Sequence, residues 1–406
     1  MDTGSLYETR VRECAKRLRG DMPERALSLA VQAEVDDPTR PEAPYWIARV
    51  LLRLGKKTEA AEAARRAIAK SAPGQKSSAR GLERFASADA SAALALWREA
   101  ARLGDPDSRY FEGWCLERGE GLPPDPAGAA AAYAQAAEKD QVDAIYSLGV
   151  CHFEGVGLPQ SWPAAFEHYR RAAELGHPTA QYNLGWCHLE GCGTARDDAR
   201  ALECFRKLAD EGYPSGQGKL GLCYFKGRGL AQDDFLALEW FHKAAAQGDP
   251  DSQFRLGWCL LNSRGTARDL GQAAAWFKQS AEQGYSLGSY NMGLCHLNGW
   301  GIPKNDTEAA FWFRIAAEQG HAAAQHQLAV GYQEGRGLPK EPATAARWAR
   351  KAAEQGNPEA ALHLALHPEG WPGVTNREEV LTWVRAAARG GFEEARELLK
   401  IMGAQP

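Results

Sequence analysis

Pro178-Thr179-Ala180-Gln181-Tyr182-Asn183-Leu184-Gly185-Trp186-Cys187-His188-Leu189-Glu190-Gly191-Cys192-Gly193 is the stretch that decides how the 406-residue chain is read. Proline suits the first turn of a helix, where its missing N–H leaves nothing unpaired. The residues from Thr179 to Glu190 then read as one helix, A. Gly191 and Gly193 break it, because glycine supplies the positive φ of a tight reversal at no steric cost. Asp197 or Asp198 is placed to cap a second helix, B. Helix B carries Ala201, Cys204, Phe205, Leu208 and Ala209 at i, i+3, i+4, i+7 and i+8, an apolar stripe on one face, and Gly212 ends it. The unit is a helical hairpin.

The hairpin recurs. Gly113, Gly149, Gly185, Gly221, Gly257 and Gly293 stand 36 residues apart, Ala329 and Ala365 continue the series, and Cys115, Cys151, Cys187, Cys223, Cys259 and Cys295 keep the same step. Helix B repeats too, with Trp240-Phe241, Trp276-Phe277 and Trp312-Phe313, each followed by alanines. One such hairpin cannot bury its apolar face, but stacked copies can. The expected fold is all-α: a right-handed α–α superhelix, or solenoid, of stacked antiparallel helix pairs.

The pattern divides the chain. Residues 1–70 hold two looser hairpins of about 34 residues, the tetratricopeptide length, marked by Gly20, Ala26, Ala30 and Ala33 and again by Gly55, Ala60, Ala64 and Ala67. Residues 71–85, with Ser71-Ala72-Pro73-Gly74 and Ser77-Ser78, read as a linker. The 36-residue array runs over 86–391, beginning with a lone helix B near Ala86. The loop at Pro368-Glu369-Gly370-Trp371 is one residue short, and residues 392–406 read as a lone capping helix and tail.

Composition narrows the function. A hydrophobic fraction of 44% with 25% charged residues is that of a folded soluble protein. No apolar run reaches the ~18 residues of a membrane span, and Met1–Glu8 has no signal-peptide core, so membrane insertion is not expected and the cytoplasm is the expected location. Residues 1–84 carry 17 Lys and Arg against 12 Asp and Glu, whereas the remainder carries 31 against 40. An acidic array is a poor binder of phosphate backbone, so nucleic acid is not an expected partner.

The unit A-x-Y-x-L-G-x-C-[H/Y]-x-x-G-x-G followed by W-F-x-x-A-A-x-x-G resembles the Sel-one-like repeat, a tetratricopeptide relative. Tyr182, Leu184, Gly185, Gly191, Gly193, Ala201, Phe205, Ala209 and Gly212 carry the resemblance in one copy, which extends over roughly residues 86–400. Gly218 in place of an aromatic, Ser263 in place of the first loop glycine and Glu112 in place of Leu depart from it. The resemblance implies an adaptor that assembles protein complexes; some bacterial members bind host proteins or neutralise secreted toxins. An immunity or inhibitor protein that envelops a toxin is therefore a second expectation.

Projected at 100° per residue, helix A places Ala180, Gln181, Leu184, Gly185 and His188 on one side and Thr179, Tyr182, Asn183, Trp186 and Glu190 on the other. By analogy with tetratricopeptide arrays the second side lines a concave groove. Its columns nominate a surface for a protein or peptide partner: Trp114, Tyr146, Tyr182, Asn183, Trp186, Lys219, Leu222, Phe254, Arg255, Trp258, Tyr290 and Asn291. Tyr, Trp and Arg most often dominate binding energy. The tyrosines also belong to the repeat pattern, so packing accounts for them as well; the tryptophans stay open between packing and binding.

No catalytic, cofactor-binding or metal-ligating residue is expected. The pairs Cys151-His152, Cys187-His188 and Cys295-His296 suggest a metal, haem or redox carrier, a reading from another class. Sequence neighbours on a helix point ~100° apart, and copies in successive repeats are expected to lie too far apart for a disulfide. A ladder of buried thiols is the simpler reading, with Cys187, Cys192 and Cys204 the one plausible local group. Gly155-Val156-Gly157 follows a helix and lacks the lysine of a phosphate loop.

Overall fold

The computed structural model describes residues 3–71, 76–366 and 377–403, and among them every element is a helix. The chain forms two compact units, residues 1–232 and 233–406. The first holds α1 (Thr3–Arg19), α2 (Pro23–Asp36), α3 (Glu42–Arg53), α4 (Lys57–Lys70), α5 (Lys76–Ala86), α6 (Ala90–Arg102), α7 (Pro106–Arg118), α8 (Pro126–Ala137), α9 (Val142–Glu154), α10 (Trp162–Glu174), α11 (Pro178–Glu190), α12 (Asp198–Asp210) and α13 (Pro214–Lys226). The second holds α14 (Asp234–Ala245), α15 (Pro250–Asn262), α16 (Leu270–Glu282), α17 (Ser286–Asn298), α18 (Asp306–Glu318), α19 (Ala322–Glu334), α20 (Pro342–Glu354), α21 (Pro358–Leu366), α22 (Arg377–Arg389) and α23 (Glu393–Ile401). Within each unit successive helices pack as neighbours, the arrangement of a helical solenoid.

Local chemistry sets each hairpin. At the head of helix A, Asp105, Gln141, His177, Asp249, His321 and Asn357 occupy one repeated position. Each accepts a hydrogen bond from the amide three residues on, pairing a donor that a helix start leaves open. Asp197 caps α12, accepting from the amides of Ala199 and Arg200. The first loop glycine ends helix A in the left-handed region: Gly191 has φ +76°. The second has a separate reason. Gly193 (φ +75°) lies on the carbonyl of Trp162, at the start of the preceding repeat's helix B, and any Cβ would collide with that backbone.

The periodic glycine of helix A is also a matter of space. A Cβ on Gly185 would sit 2.8 Å from the Phe205 ring, and Gly113, Gly149, Gly257 and Gly293 face Tyr133, Tyr169, Phe277 and Phe313 in the same way. These rings are buried, each stabilising its repeat by about 1.5–3 kcal/mol. Where Ala329 replaces the glycine, Ala349 replaces the ring, and both are fully buried. Glu112, which stands where the pattern has Leu, is buried but paired with Arg98 at 3.0 Å and Arg109 at 2.6 Å.

Two expected boundaries move. The linker at 71–85 is largely helix α5, which packs on α6 as helix A of the first repeat. Gly81 lies against Trp97 as Gly185 lies against Phe205, but Gly81 and Gly113 stand 32 residues apart, because only residues 87–89 separate α5 from α6. That short loop breaks the 36-residue step and hides the copy. At the other end α23 is not alone: Leu399 and Ala395 share a core with Val384 and Ala387 of α22. Ala72–Gln75 of the linker and the short loop at Pro368–Trp371 lie outside the described residues.

Candidate protein-binding site

All twelve nominated side chains are half-buried. The ring column leans on its own helix B. Tyr146 lies 5.9 Å from Tyr169, Tyr182 5.9 Å from Phe205, Phe254 6.1 Å from Phe277 and Tyr290 5.8 Å from Phe313, between ring centroids. Three also touch the residue that precedes the next helix A: Tyr146 stacks on His177 at 4.5 Å, Tyr290 on His321 at 4.7 Å, and Phe254 lies 5.9 Å from Tyr285. These rings join one repeat to the next.

The remaining residues fall into separate groups. In unit 1, Asn183 is half-buried on α11, and the Lys219 ammonium lies 5.7 Å from the centre of the Tyr182 ring. Trp186 meets Phe153 edge-on at 5.5 Å, and Leu222 is half-buried one repeat on. Trp114 stands apart, against Phe85 at 5.2 Å and under the Arg118 guanidinium at 5.0 Å. In unit 2, Arg255 pairs with Asp251 at 2.9 Å and reaches over the Phe241 ring. Asn291 donates to the Leu287 carbonyl at 2.8 Å, and Trp258 is half-buried on α15.

Sequence reading gave the first helices of unit 1 no place on the array. The structure folds the turn after α1 onto the N-terminal ends of α9, α11 and α13. Arg19 reaches Asp143 through Nε at 3.1 Å and Nη2 at 3.4 Å, and Arg49 of α3 reaches the same carboxylate at 3.4 Å. The Thr179 hydroxyl donates to the Arg19 carbonyl at 2.7 Å, the Ser215 amide donates to Asp21 at 3.0 Å, and Arg17 donates to the Glu211 carbonyl at 2.7 Å. Lys16 and Glu211 pair at 2.6 Å. Met22 packs with Leu208 and Tyr213 in a small apolar core beside Tyr182. Gly20 lies flat on the Tyr213 ring, where a Cβ would enter the ring.

Electrostatics locks this junction. Burial alone would raise the Asp143 carboxyl, but Arg19, Arg49 and nearby His177 hold it below the ordinary carboxylate range. His177 is pushed down to about 4, first by burial, which disfavours its charged form. Its Nδ1 accepts the Ala180 amide at 3.2 Å, so the neutral ring is the form that caps α11.

Between the N-terminal hairpins and the first array helices unit 1 leaves a cleft of ≈ 670 Å³. Phe85, Phe111 and Trp114 form its apolar wall, and Arg49, Arg53, Lys57 and Arg118 stand around it.

The cysteine column is a packing feature in this fold. Cys115, Cys151, Cys187, Cys223, Cys259 and Cys295 are buried free thiols, and burial pushes them up to about 11–12, away from the thiolate that binds metal or reacts. Cys192 and Cys204 are free as well. Among the described residues no three His, Cys, Asp or Glu side chains group as metal ligands, and no helix is long and apolar enough to cross a membrane.

Eight consecutive matches to the Sel1 repeat cover residues 79–105, 106–141, 142–177, 178–213, 214–249, 250–285, 286–321 and 322–357. The chain belongs to the Sel1 repeat family. Two solved structures extend the likeness. A protective antigen of uropathogenic Escherichia coli displaying an SLR fold is 26% identical, with a TM-score of 0.51 over 93% of this chain and 90% of that one. A Sel1 repeat protein from Oxalobacter formigenes is also 26% identical, with a TM-score of 0.56 over 59% of this chain and 96% of that one. No curated protein matches the sequence. Sel1 repeat proteins are in general protein-interaction scaffolds, which sets the class within which this surface is read.

Proposed function

We propose that this Sel1 repeat protein is a non-catalytic cytoplasmic scaffold that holds a protein or peptide segment on its A helices. One observation carries the reading. In unit 2 the extensive helix contacts run between neighbours along the chain, and Phe254, Arg255, Trp258, Tyr290 and Asn291 stay half-exposed along the A helices. A row of aromatic, Arg and Asn side chains of this kind suits a partner that brings apolar and hydrogen-bonding groups together. The net charge of −4 disfavours nucleic acid as that partner.

The test uses the full chain as bait in its native cell extract, beside Trp258→Ala and Trp186→Ala, with melting curves for all three. Loss of a captured protein at unchanged melting supports the reading. Capture that falls only in step with stability sinks it. An enzyme among the captured proteins whose activity drops on binding narrows the scaffold to an inhibitor.

A further inference from the structure

The cleft of unit 1 combines positive charge with an aromatic wall. Five cations, Arg19, Arg49, Arg53, Lys57 and Arg118, line it together with two carboxylates, Asp143 and Glu120. Asp143 is already shared by Arg19 and Arg49. Arg53 donates to the Leu18 carbonyl, a neutral acceptor that leaves its charge uncompensated. No carboxylate of the described residues pairs with Arg53, Lys57 or Arg118, and all three side chains are exposed. Five cations against two carboxylates give this concavity an excess of positive charge in a chain whose net charge is −4.

The wall is apolar. Trp97 stacks on Phe111 at 4.8 Å, and Phe85 meets Trp114 edge-on at 5.2 Å. Arg118 lies over Trp114, so an anion drawn to that guanidinium arrives beside an aromatic surface. At ≈ 670 Å³ the opening falls within the range of sites that enclose a ligand or a short peptide stretch.

We infer that this cleft binds an acidic linear peptide segment, its carboxylates on Arg53, Lys57 and Arg118 and one large apolar side chain on the wall of Phe85, Phe111 and Trp114. Charge complementarity selects the acid: carboxylates gain charge-assisted hydrogen bonds from the guanidinium forks, and the local field draws them in. The apolar wall adds a hydrophobic anchor that a bare polyanion cannot use. The inference rests on the scaffold reading and assigns it a site and a ligand class in unit 1, apart from the unit 2 row.

The experiment measures fluorescence anisotropy of fluorescein-labelled peptides titrated with the full chain. The probes are EEWEEL, its neutral counterpart QQWQQL, its aromatic-free counterpart EEGEEG, and a labelled thymidine oligonucleotide of similar length. EEWEEL is expected to bind at least tenfold more tightly than QQWQQL and EEGEEG, and to weaken as salt rises. Arg53→Ala/Lys57→Ala/Arg118→Ala is expected to lose at least tenfold in affinity for EEWEEL with a small fall in melting from the lost Arg53 bond to the Leu18 carbonyl, and Lys57→Ala/Arg118→Ala to lose affinity with melting unchanged. The single Lys57→Glu gives the same direction should the triple variant fold poorly. Equal binding of EEWEEL and QQWQQL, or no loss in any variant, overturns the inference, as does tighter binding of the oligonucleotide. A negative result here with Trp258-dependent capture intact removes the cleft proposal alone; loss of both removes the scaffold reading as well.

Discussion

The two units use one repeat position in opposite ways. Asp143, Thr179 and Ser215 stand 36 residues apart, at the second residue of successive A helices in unit 1. All three meet the N-terminal segment: Asp143 and Thr179 take Arg19 and its carbonyl through their side chains, and Ser215 donates to Asp21 through its backbone amide. Unit 2 continues the series with Asp251, Leu287 and Ala323. There Asp251 is satisfied within the array, accepting the Tyr285 hydroxyl at 2.6 Å and Arg255 at 2.9 Å, and the two that follow cannot hydrogen-bond through their side chains. The stacking frame is common to both units. What differs is whether the heads of the A helices are spent on the chain itself.

The largest test of this contrast is Asp143→Ala. It leaves Arg19 and Arg49 facing each other at a site where their side chains are only 17% and 9% exposed. Removing one member of a buried ion pair costs about 3–5 kcal/mol, because the stranded charge keeps its desolvation penalty. Hydrogen exchange should show α1–α3 opening by that amount while unit 2 keeps its protection. Unchanged protection in α1 would break the claim that this carboxylate holds the N-terminal segment.

Acid should act on the same junction. His177 ionises at about 4 in the folded chain against 6.5 in the unfolded one. A lowered histidine value means that the unfolded state binds the extra proton, so its contribution is whole above pH 6.5 and is lost as the pH falls toward 4. Full loss corresponds to about 3 kcal/mol at about 1.4 kcal/mol per unit. Asp143 stays charged throughout that window, since its carboxyl is held below the usual range. The expected outcome is a fall in the unfolding free energy of unit 1 between pH 6.5 and 4. His177→Asn flattens it, because asparagine, as at Asn357, caps without titrating. A fall that survives the substitution would place the titration elsewhere.

Gly20→Ala comes next, at about 1–3 kcal/mol, the usual cost of overfilling a packed site. The added methyl meets the Tyr213 ring, so α1 should loosen from α11 and α13 while both helices keep their own hydrogen bonds. Tyr213→Ala in the same chain should remove the clash and with it part of the cost. If the double variant is as loose as the sum of the singles, ring contact with Gly20 is not what fixes the turn.

How much of this was legible follows from sequence distance. Local features were: helix A was read at Thr179–Glu190 and is Pro178–Glu190, and Asp197 caps α12. Periodicity alone gave those, since each rests on contacts within one repeat or between adjacent ones. The docking of α1 was not, because Arg19 and Asp143 lie 124 residues apart and nothing near Arg19 marks it as a buried anchor. Gly20 read only as a marker of the first looser hairpin. The one available signal was the change down the column from Asp143 and Thr179 to Leu287 and Ala323, which a search for binding aromatics passes over. Gly81 escaped for another reason: a loop shortened by four residues moved it off the period, although its packing against Trp97 is the same.

The smallest expected effect lies in unit 2 and serves as its control. Ser263 takes the place of the first loop glycine and holds φ +57°, ψ +36°, a left-handed conformation that costs a residue with a Cβ about 1–2 kcal/mol. Ser263→Gly relieves that strain but gives the unfolded chain more freedom to lose, about 0.4–1 kcal/mol. The net expectation is a gain of about 0.5–1 kcal/mol for α15 and α16, seen as slower hydrogen exchange there and none in α1–α13. A gain that also protects α1 would mean that stability is shared across the chain and that the contrast between the units is not one of local contacts. No gain at all would mean that the serine side chain offsets its own backbone cost, and the loop glycine would then matter for the close approach that Gly265 makes to Asp234 rather than for φ.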